Sequence, residues 1–467
     1  MNHEETIKSV NEQFDKELIP GLSEFIKIDN LSPFFDSEWN SNGKLEKAAN
    51  FILEWVNKQG VKGLEGEIIK DADKSPLVFI EVDAHGSDKN ILLYGHFDKQ
   101  PHFTGWAEGL GPCIPVIRDG FLYGRGGADD GYAVFSSVVG LKTIQEKGGK
   151  HGRVVILIEG SEESGSPHLI PYINNLKDRI GSPDLMMCLD SGCLDYNRLW
   201  VTNSLRGCLM FDLTVEVLVE AVHSGVGTGL APDSFMIIRN LLDRIEDSNT
   251  GKVIEALHVD IPQNRVEEAG KVAELMGSQV FKGVKFLPGV KSISDNNTES
   301  ILNNTWRPTV AITGASGLPD SKTAGNVLRS STTVRVSIRL PPSYNSKDAI
   351  EVINQTLSKD TPFNAKVTID IRPPGDGWNN KQFSEKLHNS LNESSKKFWG
   401  KEYLSFGEGG SIPFIKQLAD SFPSCEIVVI GVLGPNSNAH SCNEALHIDY
   451  CKNITSTLVH TIHDYSS

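Results

Sequence analysis

The residue order predicts an α/β protein: a mainly parallel sheet with helices on both faces, interrupted by an inserted split βαβ domain. Three observations carry that expectation. Apolar runs at Ile91–Tyr94, Arg153–Ile158 and Asp184–Leu189 alternate with stretches of helical periodicity, the pattern of parallel strands joined by crossover helices. Each of those runs empties into His or acidic residues, as strands do where an open sheet places its ligand crevice at their carboxyl ends. From Cys208 the order changes to strand, helix, strand, strand, helix, strand, which is a unit closed on itself.

Taken along the chain, residues 5–27 and 44–59 carry helical periodicity, the second ending on a Gly stop signal. Strands are expected at Leu77–Val82 and Ile91–Tyr94, the latter followed by Gly95-His96-Phe97-Asp98-Lys99-Gln100-Pro101. A Gly- and Pro-rich loop then runs to Asp129-Asp130, at the amino end of a mostly apolar helix from Gly131, where carboxylates are favoured. The strand Arg153–Ile158 precedes the stretch EGSEESGS, and the strand Asp184–Leu189 runs into Asp190. In the second domain, strands are expected at Leu209–Val219, Arg307–Thr313, Thr333–Leu340 and Ala365–Arg372, with helices at Pro232–Asp247 and Ser346–Lys359. A helix at Gln263–Ser278 and the Asn/Ser-rich stretch to Asn304 read as an insertion in it. Pro373-Pro374-Gly375 marks the return, and helix Gln382–Phe398, strand Glu426–Ile430 and a helix from Asp449 complete the first domain. The expected division is 1–207 with 377–467, and 208–376.

The 467 residues suffice for two or three domains with full cores. Lys+Arg 45 against Asp+Glu 60 gives a net charge of −15, which argues against a nucleic-acid or anionic-membrane surface. The first twenty residues form a polar helical pattern without an apolar h-region, and no stretch approaches the roughly 18 apolar residues of a membrane span. A cytoplasmic protein is therefore expected. Seven Cys without C-x-x-C spacing indicate neither a disulfide framework nor a thiolate zinc knot, and most read as buried small hydrophobes.

Five polar clusters converge on the carboxyl edge of the inferred sheet: His96 with Asp98, Asp129 with Asp130, Glu162 with Glu163, Asp190, and His440. Nitrogen and oxygen donors without thiolate suit two divalent ions of the zinc, manganese or cobalt kind. Such a pair needs a bridging carboxylate, and of two adjacent Glu one can ligate while the other takes a proton from water.

The stretches GHFDKQP, GRGGADDG, EGSEESGS, Asp190 at its strand end, HSG at 223–225 and the late NAH resemble the di-zinc metallopeptidase family of aminoacylases, glutamate carboxypeptidases and carnosinase-type dipeptidases. The resemblance runs from about residue 90 to 445 in the family's order, and the inserted unit resembles that family's lid, or dimerisation, domain. It implies that His96 and Asp190 hold one metal, Glu163 and His440 the other, and that Asp129 bridges them. It further implies Glu162 as general acid/base, Asp98 as support for the His96 ring, and Asp130 as a neighbour to the ligands or a helix cap. His223 resembles the lid histidine that reaches a partner subunit's site and stabilises an oxyanion, which implies a homodimer. Asn326, Arg339 and the backbone at Gly410-Ser411 resemble the binders of substrate carbonyl and carboxylate, Arg offering a bidentate fork.

Two motif positions depart from the family: Gly131 stands where a Lys is usual, and Lys99 where a small apolar residue is usual. Carnosinase-type members also offer a His near the return, where this chain has Trp378, Asn379 and Lys381. His102, His168, His388, His447, His460 and His463 match no motif position and read as surface or packing residues. The expected reaction is hydrolysis of dipeptides or short peptides, with substrate entering between the domains. An N-acyl amino acid deacylase is the alternative, and a non-catalytic binding relative would lack a ligand or base that this sequence retains.

Overall fold

The computed structural model describes residues 1–281 and 283–467, leaving aside the side chain of Pro413. The chain divides into two compact units, Met1–Thr202 with Asn380–Ser405 and Gln417–Ser467, and Asn203–Asn379 with Phe406–Lys416.

The first unit is built on a mixed sheet in the order Leu64–Ile69, Leu77–Val82, His151–Glu159, Gly86–His96, Leu185–Cys188, Glu426–Val429 and Trp200–Leu205. Its centre is parallel, from His151–Glu159 through Gly86–His96 and Leu185–Cys188 to Glu426–Val429. The expected mainly parallel sheet is therefore present, and antiparallel pairings extend it on both flanks. The central strands are apolar on both faces: Ile91, Leu92, Leu93, Val154, Val155, Ile156 and Leu157 are all fully buried. A run with no polar alternation can be stable only when both faces are covered. The helix Tyr132–Glu146 is buried along almost its whole length, and His3–Gln13, Phe14–Leu18 and Ile19–Ile26 follow one another as helical segments at the amino end.

Parallel strands in register bring their carboxyl ends to one edge. His96 pairs with Glu159 and Tyr94 with Cys188, so the residues that follow each strand emerge together. Gly95 is required there, because a Cβ would lie 2.6 Å from Ala133 Cβ and 2.7 Å from Asp130 Oδ2.

Lys99 is fully buried, and its ammonium donates to the carbonyls of Phe25, Ile26 and Ile28 at 3.1, 3.2 and 2.7 Å. It thus gathers carbonyls at and just past the end of helix Ile19–Ile26, where a cation is favoured by the helix dipole. This gives the departure at Lys99 a structural reason. Gly126, at φ +78°, makes the room, since a Cβ would meet Lys99 Cε at 2.4 Å.

The second unit carries an antiparallel sheet in the order Thr309–Ser316, Ser331–Leu340, Gly207–Glu216, Lys366–Ile371. Helices Ser234–Asp243 and Ser346–Ser358 cover it through Ile237, Ile238, Leu241, Ala349, Ile353 and Leu357, packed on Leu209, Phe211, Leu213, Val336 and Ile338. Alternating burial along Ser331–Leu340 is the mark of a sheet with one covered face. The helices Gln263–Met276 and Asn297–Thr305 make a smaller core around Ala269, Leu302 and Trp306. Sequence reading missed the flanking strands Leu64–Ile69 and Trp200–Leu205, and the helix Asn297–Thr305.

Candidate metal centre

Strand ends and the loops after them bring together the five clusters of the first unit. His96, the last residue of its strand, is buried, with Nε2 at 3.3 Å from Asp129 Oδ1, 3.8 Å from Asp190 Oδ2 and 4.0 Å from Glu162 Oε2. His440 Nε2 lies 3.0 Å from Asp129 Oδ2 and 3.2 Å from Glu163 Oε2. One donor atom from each of His96, Asp129 and Asp190 lies within 4.8 Å of the other two, and the same holds for Asp129, Glu163 and His440. Asp129 is common to both groups, and Glu162 borders them.

The backbone and the carboxylate of Asp98 make different contacts. The His96 Nδ1 atom is 3.1 Å from the Asp98 backbone carbonyl and 3.5 Å from its Oδ1. The carboxylate itself accepts the amides of Glu162 and Glu163, each at 3.0 Å. One aspartate therefore fixes both the imidazole and the turn that presents the two glutamates. Asp130 caps no helix; its Oδ2 accepts the His96 amide at 3.2 Å.

Two residues that sequence reasoning passed over shape the same centre. Glu444 is fully buried and ion-paired with Arg125 Nη1 at 2.7 Å. Its oxygens also accept the amides of Gly126, Ala128 and Asp129 at 3.0 to 3.1 Å. Gln100 Nε2 donates to Glu163 Oε2 at 2.6 Å. The adjacency of Gln100 to the His-x-Asp motif, and of Glu444 to the late Asn-Ala-His, was the only signal in the sequence.

Electrostatics express crowding of like charge. Burial, reinforced by Asp190, pushes the Glu162 carboxyl well above the ordinary carboxylate range. Burial and the neighbouring Asp129 raise Glu163 to about 7. Burial alone would raise Asp129, but His440 and His96 hold it below its usual value. Contact with Asp129 and Glu163 raises His440 to about 11. Glu163 Oε1 is buried and has no hydrogen-bond partner among the described residues, and Asp129 Oδ2 is buried with the His440 imidazole 3.0 Å away. Buried carboxylate oxygens crowded together, arranged with two imidazoles and no thiolate, fit divalent cations of the zinc class.

A family model described as Peptidase family M20/M25/M40 matches residues 92–464. The chain belongs to this peptidase family. Its relatives include the cysteinylglycine-S-conjugate dipeptidase of Corynebacterium striatum, 24% identical over 409 residues and covering 86% of each chain. The Cys-Gly metallodipeptidase DUG1 of Candida albicans is 23% identical over 475 residues, covering 96% of each. Among solved structures, the M20 fold is matched by the Saccharomyces cerevisiae dipeptidase Dug1p with a TM-score of 0.77, 23% identity and coverage of 100% and 99%. Human carnosine dipeptidase 1 also gives 0.77, at 19% identity and coverage of 99% and 98%.

The remaining candidates of this M20 chain lie in the second unit. His223 pairs with Val327, and Ser224 donates to the Asn326 carbonyl at 2.9 Å, so the HSG and GNVLRS stretches meet. The His223 ring is exposed and its Nδ1 accepts from Gly225. Arg339 Nη1 donates to Ser411 Oγ at 2.9 Å, and the Gly410 carbonyl accepts from the Arg206 amide at 3.1 Å. Buried Arg206, held to about 10 by burial and by Arg339, anchors that loop through the Gly409 carbonyl at 3.0 Å, and sequence reasoning had no place for it. Among the described residues no helix is long and apolar enough to cross a membrane.

Proposed function

We propose that this M20 protein is a metal-dependent dipeptidase that hydrolyses the amide bond of dipeptides or short peptides with a pair of divalent ions. Zn2+ is the first choice of ion, with Mn2+ or Co2+ as functional substitutes. The observation that carries the reading is the pair of ligand groups sharing Asp129, with Glu162 at their border. Relatives named as Cys-Gly and beta-Ala-His dipeptidases weigh against the deacylase alternative.

His96 and Asp190 would hold one ion, Glu163 and His440 the other, and Asp129 would serve both. When bound, such a pair supplies Lewis-acid polarisation of a carbonyl and a more acidic water. Glu162 accepts the proton of the attacking water on its carboxylate and returns it to the leaving amine. Burial raises its pKa, which suits a group that must hold that proton between the two transfers. Asp98 keeps Glu162 and Glu163 oriented through their amides. Arg339, Ser411, Gly410 and Asn326 bind the substrate carboxylate and carbonyl, and His223 of a second copy donates to the developing oxyanion. In this reading the second unit is the lid and dimerisation domain, the active form is a homodimer, and the protein works in the reducing cytoplasm, in keeping with its seven free thiols.

The test is amine release from dipeptides, tripeptides and N-acetyl amino acids by protein loaded with zinc, manganese or cobalt, with chelator controls. Chelator-sensitive cleavage of dipeptides with a free amine is the expected result. Activity confined to acylated amino acids would transfer the protein to the deacylases, and no turnover with two ions bound would overturn the catalytic reading.

A further inference from the structure

A second kind of donor cluster lies in the first unit, apart from the shared-Asp129 groups. Asp29 follows helix Ile19–Ile26, His102 follows Pro101, and Cys113 lies in the loop before the strand Val116–Arg118. One donor atom from each lies within 4.8 Å of the other two, and all three residues are half-buried. Backbone pairing holds them there: the Lys99 amide donates to the Asn30 carbonyl at 3.1 Å and the Ser32 amide to the Lys99 carbonyl at 2.9 Å. That bracing lays the segment carrying Asp29 beside the one leading to His102. The Trp106 indole N–H donates to the His102 carbonyl at 2.7 Å and fixes the turn beyond it.

Two features separate this cluster from an ordinary ion pair. His102 Nε2 is 2.7 Å from Asp29 Oδ1, yet Nδ1 of the same ring is buried with no hydrogen-bond partner among the described residues. Protein contacts thus leave half of the ring's bonding capacity unused. Cys113 adds a free thiol, a donor type absent from the other two groups.

We propose that Asp29, His102 and Cys113 form a third cation site, selective for divalent ions of the zinc class. A thiolate, an imidazole and a carboxylate together suit a borderline cation, and the thiolate disfavours magnesium or calcium. Three protein ligands leave a fourth tetrahedral position for water. On binding, Cys113 coordinates as the thiolate and its proton passes to solvent. The Lys44 ammonium, 2.6 Å from Asp29 Oδ2, opposes a second cation and sets the affinity below that of an all-anionic site.

The experiment is a cobalt titration of the full-length protein, followed by absorbance and by bound metal per chain. The groups sharing Asp129 offer only nitrogen and oxygen, so a near-ultraviolet sulfur-to-cobalt charge-transfer band reports a cysteine ligand however many ions those groups hold. The wild type is expected to develop this band with one further equivalent of cobalt. Cys113→Ser and His102→Ala should abolish both while keeping dipeptide hydrolysis and the metal-free thermal midpoint, and Lys44→Met should bring the band in at lower free cobalt. No band at saturating cobalt, or a band that persists in Cys113→Ser, overturns the proposal. Should Cys113→Ser not fold, His102→Ala and Asp29→Asn decide by the same band, and its survival in both overturns it equally.

Discussion

Replacing Glu444 by Gln tests whether a buried carboxylate remote in sequence shapes the loop that carries Asp129. The side chain is fully buried against Arg125, which is itself 1% exposed. Gln preserves the shape and one acceptor for the amides of Gly126, Ala128 and Asp129. It loses the charge, and its amide group turns donors toward the donors of Arg125. The guanidinium then remains buried with the Ser441 carbonyl as partner but without its counterion. Removing one member of a buried pair costs about 3–5 kcal/mol, because the surviving charge is left uncompensated. Against a total stability of about 5–15 kcal/mol that is a large loss. Urea unfolding followed by tryptophan fluorescence should show it as a lower midpoint at unchanged slope. Adding Arg125→Met should recover part of it, since the two changes remove the same interaction. A loss below about 1 kcal/mol, or two effects that simply add, would refute the assignment of Glu444 as the anchor of this loop.

Glu162→Gln should lower kcat by about 10²- to 10⁴-fold with both ions retained, checked by peptide hydrolysis alongside metal analysis; near-normal turnover would remove Glu162 from the proton transfer. Burial lowers Lys99 to about 8. Its folded pKa is thus below its unfolded one, so the unfolded chain binds more protons between the two values and stability rises with pH through that window. In Lys99→Met the rise from about pH 8 to 10.5 should be missing from urea midpoints measured against wild type, and identical profiles would show that the ammonium is not buried. Chelation should lower the thermal midpoint, because ions bound only by the folded state stabilise it, by about 2.7 kcal/mol at 100 times Kd. A midpoint indifferent to both chelator and added zinc would count against a folded-state metal centre.

Much of this protein is legible because its signals are local. Val154 to Ile158 and Ile91 to Tyr94 are unbroken apolar runs, and such runs announce strands covered on both faces before any partner is known. His96 ends one of those strands and Glu162-Glu163 closely follow the other, so a parallel register is enough to bring them to one edge, whereas Asp129 and His440 reach it on loops. The helices Lys44–Asn57, Ser346–Ser358 and Glu385–Trp399 were equally readable, since a 3.6-residue period is written in the chain itself. Leu64–Ile69 was not, because an edge strand carries less apolar pattern and is defined by the neighbour it pairs with.

By itself the amino-acid order determined the strand-and-helix alternation, the candidate site residues placed after strands and membership of a peptidase family, all properties of short stretches and their succession. Tertiary structure alone decided that Asp98 grips the amides of Glu162 and Glu163, that Glu444 reaches back to Arg125 and Asp129, and that Lys99 closes a helix far from it in sequence. It also decided that Phe406–Lys416 packs with the second unit, and that Asp29, His102 and Cys113 share one small volume. The physical reason is common to these cases. A buried charge or an orphan carbonyl must find a partner wherever the fold supplies one, and that partner's distance along the chain leaves no periodicity to read.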